Sequence, residues 1–356
     1  MSILEFDSKK LTELSKWLAD SKHIILTCHL SPDGDALGSS LGLQCVLSKL
    51  NPAASVSVVT PDEPTHTLDF LPYFDKIKAY SHYPAKVANL IKNCDLIVCL
   101  DFNELNRTDR LAPLLESAKA KKILIDHHLN PSDFADLTFS YPHKPATCMV
   151  LYQILEKAGL RKYIDADAAN CFLTGMMTDT INFSVSTSDP AVYPVVGQLV
   201  ELGADRQRLN RLLFNTHSES FLRIQGFALA ERMQLFHNTH AGLIVLWRDD
   251  LNKFNYQKGD TEGLVNRPLE VPGILYSCFL REEEDYIKVS MRSLGNFPVN
   301  ELCSEYFGGG GHLNAAGGEF PGTMDECIAK FIEILDINKK RYIDGNPVLE
   351  SILNEN

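Results

Sequence analysis

Between residues 23 and 200, short apolar runs alternate with helical patterns, and this alternation limits the fold more than any other feature of the chain. His23–Leu30 (HIILTCHL), Ala54–Thr60 (ASVSVVT), Asp95–Leu100 (DLIVCL) and a run beginning at Lys122–Ile125 read as strands. Helices are expected over Gly38–Leu50, around Leu111–Ala120, over 145–160 and over 165–178. Strands that alternate with helices predict a parallel, doubly wound α/β sheet. Ligands of such sheets lie outside the carboxyl ends of the strands.

Acids and histidines stand at those ends. His29-Leu30-Ser31-Pro32-Asp33-Gly34-Asp35 follows the first strand, Asp101 the third and Asp126-His127-His128 the fourth, while Asp179 lies between threonines after an apolar helix. Carboxylates and imidazoles are ligands of hard to borderline divalent metals. Gathered at one sheet edge, such groups can hold two ions, the equipment for hydrolysing a phosphate ester. Singly, each is ambiguous. Asp33 before a helix reads equally well as an N-cap, Asp-Gly as a turn, and Asp101 as a strand-terminal acid. The Asp126-His127-His128 triplet is more specific, because two adjacent histidines at a strand end are costly to keep for packing.

The pattern changes in the second half. Asp205–Leu235 reads as a connecting helix pair, followed by strands at Leu243–Trp247, Gly273–Leu280 and Tyr286–Met291 and a final helix from Met324. Gly308–Gly311 before His312 reads as a glycine loop whose N–H groups face an anion. The small residues of 313–318 suit a helix packed on a sheet. Lys288, Ser290 and Arg292 share one strand face, and a cationic face beside such a loop suits phosphate. The expected domains are 1–195 (catalytic, metal-binding), 196–240 (helical linker) and 241–340 (a smaller α/β, substrate-binding domain), with a polar, loosely tied tail at 341–356.

A net charge of −12 argues against a track for long duplex nucleic acid. A short anion remains compatible where bound metals supply the positive charge. Nine cysteines without a CxxC pair read as reduced thiols. The N-terminus reads as an amphipathic helix and no apolar run reaches the length of a membrane span, so no membrane contact and a cytoplasmic location are expected.

Taken in order, HLSPDGDALGS (29–39), Asp101 with Arg107 after it, IDHH (125–128), TDT (178–180), KVSMRS (288–293) and GGGGHLNAAGG (308–318) resemble the motifs of the DHH/DHHA1 phosphoesterases over nearly the whole chain. The likeness is nearest to the nanoRNase/pAp-phosphatase type. It implies two Mn²⁺ ions, with Mg²⁺ as the alternative. By this resemblance His29 and Asp33 hold one ion, Asp35, His127 and Asp179 hold the other, and Asp101 bridges both. Asp126 orients an imidazole, and His128 meets the scissile phosphate or leaving oxygen. Arg107, Arg292, Gly309, Gly310, Gly311 and His312 bind substrate. The implied substrates are short single-stranded RNA, cut to mononucleotides, and 3′-phosphoadenosine 5′-phosphate (pAp). Cyclic dinucleotides or linear pApA and pGpG are the alternative, non-catalytic nucleotide binding is a third reading, and a homodimer is admitted. One departure concerns substrate contacts: after the fourth motif the chain reads Ile181-Asn182-Phe183-Ser184, where the family often has Gly first and a basic residue after the Phe.

Overall fold

The computed structural model describes residues 6–354, in two compact units that divide between Thr216 and His217. The first unit contains α1 (Ser8–Asp20), β1 (His23–Thr27), α2 (Gly34–Leu50), β2 (Ser55–Thr60), β3 (Lys78–Ala79), α3 (Pro84–Asn93) and β4 (Leu96–Leu100). It continues with α4 (Ala112–Ser117), β5 (Lys121–Asp126), β6 (Leu137–Ser140), α5 (Thr147–Lys157), α6 (Ala166–Asp179), α7 (Val192–Glu201) and α8 (Arg206–Phe214). All six strands are parallel, in the order β3-β2-β1-β4-β5-β6.

These strands are apolar throughout because both faces of the sheet are covered. Successive side chains point to opposite sides. Ile24, Leu26, Val98 and Ile125 enter the larger core with residues of α1, α2, α5 and α6. Ile25, Ile97, Cys99 and Leu124 enter a smaller core with residues of α3 and α4. Strand order reverses between β1 and β4, the place where doubly wound sheets open a crevice at their carboxyl ends. Thr27 of β1 pairs with Cys99 of β4, which pairs with Leu124 of β5, so the segments leaving these three strands emerge side by side.

The second unit contains α9 (Glu219–Phe227), β7 (Met233–Phe236), β8 (Ala241–Leu246), α10 (Arg248–Lys253), β9 (Tyr276–Glu282) and β10 (Ile287–Ser293). After these come α11 (Val299–Tyr306), β11 (Gly309–His312), β12 (Ala315–Phe320), α12 (Met324–Glu333), α13 (Leu335–Asn338) and α14 (Pro347–Asn354). Its sheet runs β11-β12-β10-β9-β8-β7, with only the β8–β9 pair parallel. Ile287, Val289 and Met291 of β10 point into the core. Lys288, Ser290 and Arg292 therefore take the other face.

The structure differs from the sequence-based expectation at four places. The 205–235 segment is two short helices, α8 and α9, followed by a π-helical turn over Ala228–Arg232 and strand β7. The break between α8 and α9 falls at the unit boundary, where Ser218 caps α9 by accepting the Phe221 N–H. The glycine segment is neither loop nor helix: β11 and β12 form an antiparallel pair. The tail is tied down, because Ile343 and Leu349 are buried in the second core. Finally, α1 begins at Ser8 behind an Asp7 cap, and residues 1–5 of the expected helix lie outside the described residues. No helix among the described residues is long and apolar enough to cross a membrane.

Candidate functional site

Three neighbouring strands of the first sheet deliver the donors to one edge. β1 runs on into His29, β4 into Asp101, and β5 ends at Asp126 before His127 and His128. Asp101 turns out of its strand at φ 66, in the left-handed region that Asp tolerates better than most residues. Its N–H is held by the Ile125 carbonyl at 3.1 Å.

Asp101 also faces two donor groups at once. His29 Nε2 lies 3.5 Å from Asp101 Oδ2 and 3.8 Å from Asp33 Oδ2. His127 Nε2 lies 3.5 Å from Asp101 Oδ1, 3.4 Å from Asp179 Oδ2 and 4.0 Å from Asp35 Oδ2. The donor atoms of His29, Asp33 and Asp101 lie within 4.8 Å of one another, as do those of Asp35, His127 and Asp179 and those of Asp101, His127 and His128. These separations are long for hydrogen bonds. They are ordinary for two ligands that each stand about 2.1 Å from a shared ion.

The remaining contacts orient the donors. Nδ1 of His29 meets the Leu30 carbonyl at 2.7 Å, and Nδ1 of His127 meets the Lys144 carbonyl at 3.1 Å. A carbonyl only accepts, so each Nδ1 carries a proton and each Nε2 is the nitrogen turned toward the carboxylates. Asp126 binds His128 twice, at the ring Nδ1 (2.7 Å) and at the backbone N–H (3.0 Å). Asp33 satisfies both readings of its position. Its Oδ1 caps α2 by accepting from Asp35 N and Ala36 N, both at 3.0 Å, while its Oδ2 faces His29.

Several residues that shape the site carry little sign of it in the sequence. The N–H groups of Thr147 and Cys148, at the start of α5, both donate to Asp35, and the Thr147 hydroxyl donates to Asp101 Oδ1 at 3.0 Å. One threonine thus touches a carboxylate of each donor group. Buried Lys144, whose carbonyl holds His127, pairs with Asp189. Gly38 of α2 and Gly175 of α6 let these two helices touch backbone to backbone, and Gly34 leaves room for the Thr178 side chain. A Cβ on Gly175 would meet Asp35 Oδ1 and Cys148 Sγ at 2.4 Å, and one on Gly38 would meet the Cys171 carbonyl at 2.5 Å. That approach brings Asp35 of α2 to Asp179 of α6. The signal present in the sequence is the spacing Gly34, Gly38, Gly42, one residue per helical turn.

The electrostatics fit a cation. Among the described residues, no Lys or Arg pairs with Asp33, Asp35, Asp101 or Asp179. Burial and the charges of Asp35, Asp101 and Asp33 push the Asp179 carboxyl up to about 11, and burial with the Asp101 charge also raises Asp35. Burial opposes a charge on His29, but the hydrogen bond and charge of Asp101, with Asp33, lift it to about 9. Burial also opposes ionised Asp101, but His29 above all, then His127 and His128, hold it down at about 2. A bound cation would supply the charge that these protons carry, and a shell of imidazoles and carboxylates suits Mn²⁺ or Mg²⁺.

A pH dependence follows. Without metal, folded Asp179 and His29 keep protons that the unfolded chain releases above 3.8 and 6.5. Their contribution to metal-free stability is therefore lost as pH rises, for His29 between 6.5 and about 9. A metal bound at these groups would displace the protons. The rise in melting temperature on adding Mn²⁺ or Mg²⁺ is expected to grow across that window, as read by scanning fluorimetry against a chelator control. A gain that does not vary with pH would place these two groups away from the ion.

The expected substrate contacts divide between the units. Half-buried Arg107 accepts the Leu30 N–H at its carbonyl, at 2.8 Å, and its guanidinium has no ion-pair partner among the described residues. In the second unit, Arg292 of β10 lies opposite Ala315 of β12, which lies opposite His312 of β11. Directly opposed residues share a face. Arg292 and His312 therefore flank one alanine, and the next row on that face is Ser290, Gly317 and Gly310. Among the described residues the Arg292 guanidinium donates to the adjacent Met291 carbonyl alone, at 2.9 Å, and burial lowers its pKa. Gly309 belongs to a strand because the backbones nearly touch: a Cβ there would meet the Gly317 carbonyl at 1.9 Å. Gly309, Gly310, Gly311 and His312 are all exposed.

Residues 23–176 match the DHH family, N-terminal domain, and residues 240–337 match the DHHA1 domain. The bifunctional oligoribonuclease and PAP phosphatase NrnA of Thermus thermophilus is 31% identical over 312 residues, 87% of this chain and 88% of that protein. The Bacillus subtilis protein of the same name is 28% identical over 307 residues, 86% of this chain and 92% of that one. The crystal structure of an exopolyphosphatase-related protein from Bacteroides fragilis has a TM-score of 0.90 at 38% identity, covering 95% of this chain and 98% of that one.

Proposed function

The chain belongs to the DHH family of hydrolytic enzymes, with a DHHA1 domain in its second unit, and on that premise we propose that it is a two-metal phosphodiesterase that degrades short oligoribonucleotides to mononucleotides and removes the 3′-phosphate of pAp. The observation that carries this reading is Asp101, which turns one carboxylate oxygen to each of two donor groups. His29 and Asp33 would hold one Mn²⁺ and Asp35, His127 and Asp179 the other, with Asp101 shared and Mg²⁺ as the substitute. Two divalent ions held there would supply Lewis-acid charge to a phosphate and acidify the attacking water.

The remaining chemistry belongs to the side chains. Asp126 fixes the His128 ring through Nδ1, so Nε2 is the nitrogen left to meet the scissile phosphate or protonate the leaving oxygen. Thr147 keeps the Asp101 oxygens in their split arrangement. In the second unit, Arg292 and His312 bind phosphate beside the Gly309–Gly311 backbone, and the alanine and glycines between them leave a flat floor for a nucleoside. Arg107 offers a further cation in the first unit. Only a few phosphates need holding, which agrees with the net charge of −12. Nine free cysteines agree with a reducing compartment such as the cytoplasm.

The test is a product analysis with Mn²⁺ and a panel of pAp, pApA, pGpG, cyclic dinucleotides and RNA of a few nucleotides. Mononucleotide release from short RNA, accompanied by pAp turnover, is the expected result. Activity confined to cyclic or linear signalling dinucleotides would reassign the enzyme to that chemistry. No turnover by metal-loaded protein would overturn the hydrolytic reading.

A further inference from the structure

Directly after Asp179 the chain enters a turn that most sequences avoid. Ile181, Asn182 and Phe183 stand at φ 47, 54 and 66, three successive side-chain-bearing residues in the left-handed region. The conformation is costliest for a β-branched residue such as Ile181. Neighbours hold it in place. The Phe183 N–H donates to Thr180 Oγ1 at 2.9 Å and the Asn182 N–H to the Met177 carbonyl at 2.7 Å. From α8, Asn210 accepts from the Asn182 amide at 2.9 Å, and Arg206 donates to its oxygen at 3.1 Å. Strain of this kind persists where surroundings over-determine it, and it gathers at ligand clamps.

Two further observations give this cluster a ligand chemistry. The Arg206 guanidinium lies 5.8 Å from the centre of the Phe183 ring, and the exposed Tyr193 ring stands 6.3 Å from Phe183. Arg206 is exposed and has no carboxylate partner among the described residues, and the same holds for Arg208 and Arg211 on the same helix. Unpaired arginines are unexpected on a chain of net charge −12. Aromatic faces beside a guanidinium take one partner class well: a single-stranded nucleotide, its base on the ring and its phosphate on the cation.

We propose that Phe183, Tyr193 and Arg206, braced by Asn182 and Asn210, form a subsite for a nucleotide flanking the scissile phosphate. This deepens the oligoribonuclease reading and rests on it. It gives a role to the strained turn, which joins Asp179 to Phe183 four residues on.

The experiment is equilibrium binding of a phosphorothioate triadenylate and of AMP to manganese-loaded protein. Arg206→Ala and Phe183→Leu are each expected to weaken trimer binding about ten-fold, the loss of one base stack, and to weaken AMP binding far less. Arg206→Lys keeps the charge but loses the planar contact, and should fall between. Unchanged trimer affinity overturns the subsite. So does equal weakening of trimer and AMP, or loss of bound Mn²⁺, either of which would make the cluster a brace for Asp179. Phe183 packs partly on the main core, so if Phe183→Leu melts early the exposed Arg206 variants decide the matter alone. If wild-type protein binds no trimer, the oligoribonuclease reading falls and the subsite with it. If it binds the trimer and the variants match it, only the subsite falls.

Discussion

Replacing Asp101 by Ala is expected to abolish turnover, by about 10³-fold or more, and to reduce bound Mn²⁺ below two ions per chain. His29 and Asp33 face one group of donors and Asp35 and Asp179 the other, whereas Asp101 has one oxygen 3.5 Å from His29 Nε2 and the other 3.5 Å from His127 Nε2. Its loss would also strand the Thr147 hydroxyl, which is buried and donates to it. Asp101→Asn keeps the shape and one acceptor but removes the charge that attracts cations, so it should fail almost as completely. Turnover per chain measured beside metal content by mass spectrometry decides the point. An Ala variant with wild-type rate would remove Asp101 from the chemistry, and a dead variant holding two ions would make its role something other than ligation.

The second large effect is expected at a residue with no side chain of its own. Gly175→Ala should lower the melting temperature by several degrees and weaken Mn²⁺ binding by more than ten-fold. A Cβ at Gly175 would stand 2.4 Å from Asp35 Oδ1, 2.4 Å from Cys148 Sγ and 2.9 Å from the Asp35 Cα. The first two atoms could swing aside, but a backbone carbon cannot, so α2 and α6 must separate. Overpacking of this kind costs about 1–3 kcal/mol. The shift would also draw Asp35 away from the Thr147 and Cys148 N–H groups and from Asp179. Gly197→Ala is the control. Its Cβ would meet nothing within 4 Å, and alanine is the better helix former, so its stability should hold or rise slightly. Wild-type melting and Mn²⁺ affinity in Gly175→Ala would show that the helix contact does not set the ligand geometry.

Much of the donor set is legible in the sequence because strand ends are local features. His29, Asp101 and Asp126–His128 each end a run of apolar residues, and the parallel sheet they belong to shows in the alternation of those runs with helical patterns. The segment 309–320 misleads for a physical reason. Small residues say that something approaches closely, and do not say what. Here the neighbour is another strand, and pairing with β10 overrides any helical preference of Ala315–Phe320. Thr147 and Lys144 carry no signal, since their roles depend on carboxylates and carbonyls distant in the chain: Thr147 meets Asp35 across 112 positions and Asp101 across 46.

The chain by itself determined the alternation of buried strands with helices and the identity of the candidate donors, because both are written within a few residues at a time. Only the tertiary structure decided which donors meet. Asp33 and Asp35 are two positions apart, yet Asp33 faces His29 while Asp35 faces His127 and Asp179. The difference arises where Asp33 stays outside the helix as its cap and Asp35 enters the first turn, which rotates it toward α5 and α6. How near α6 stands is then set by a glycine 140 positions further on, whose missing side chain lets two backbones touch.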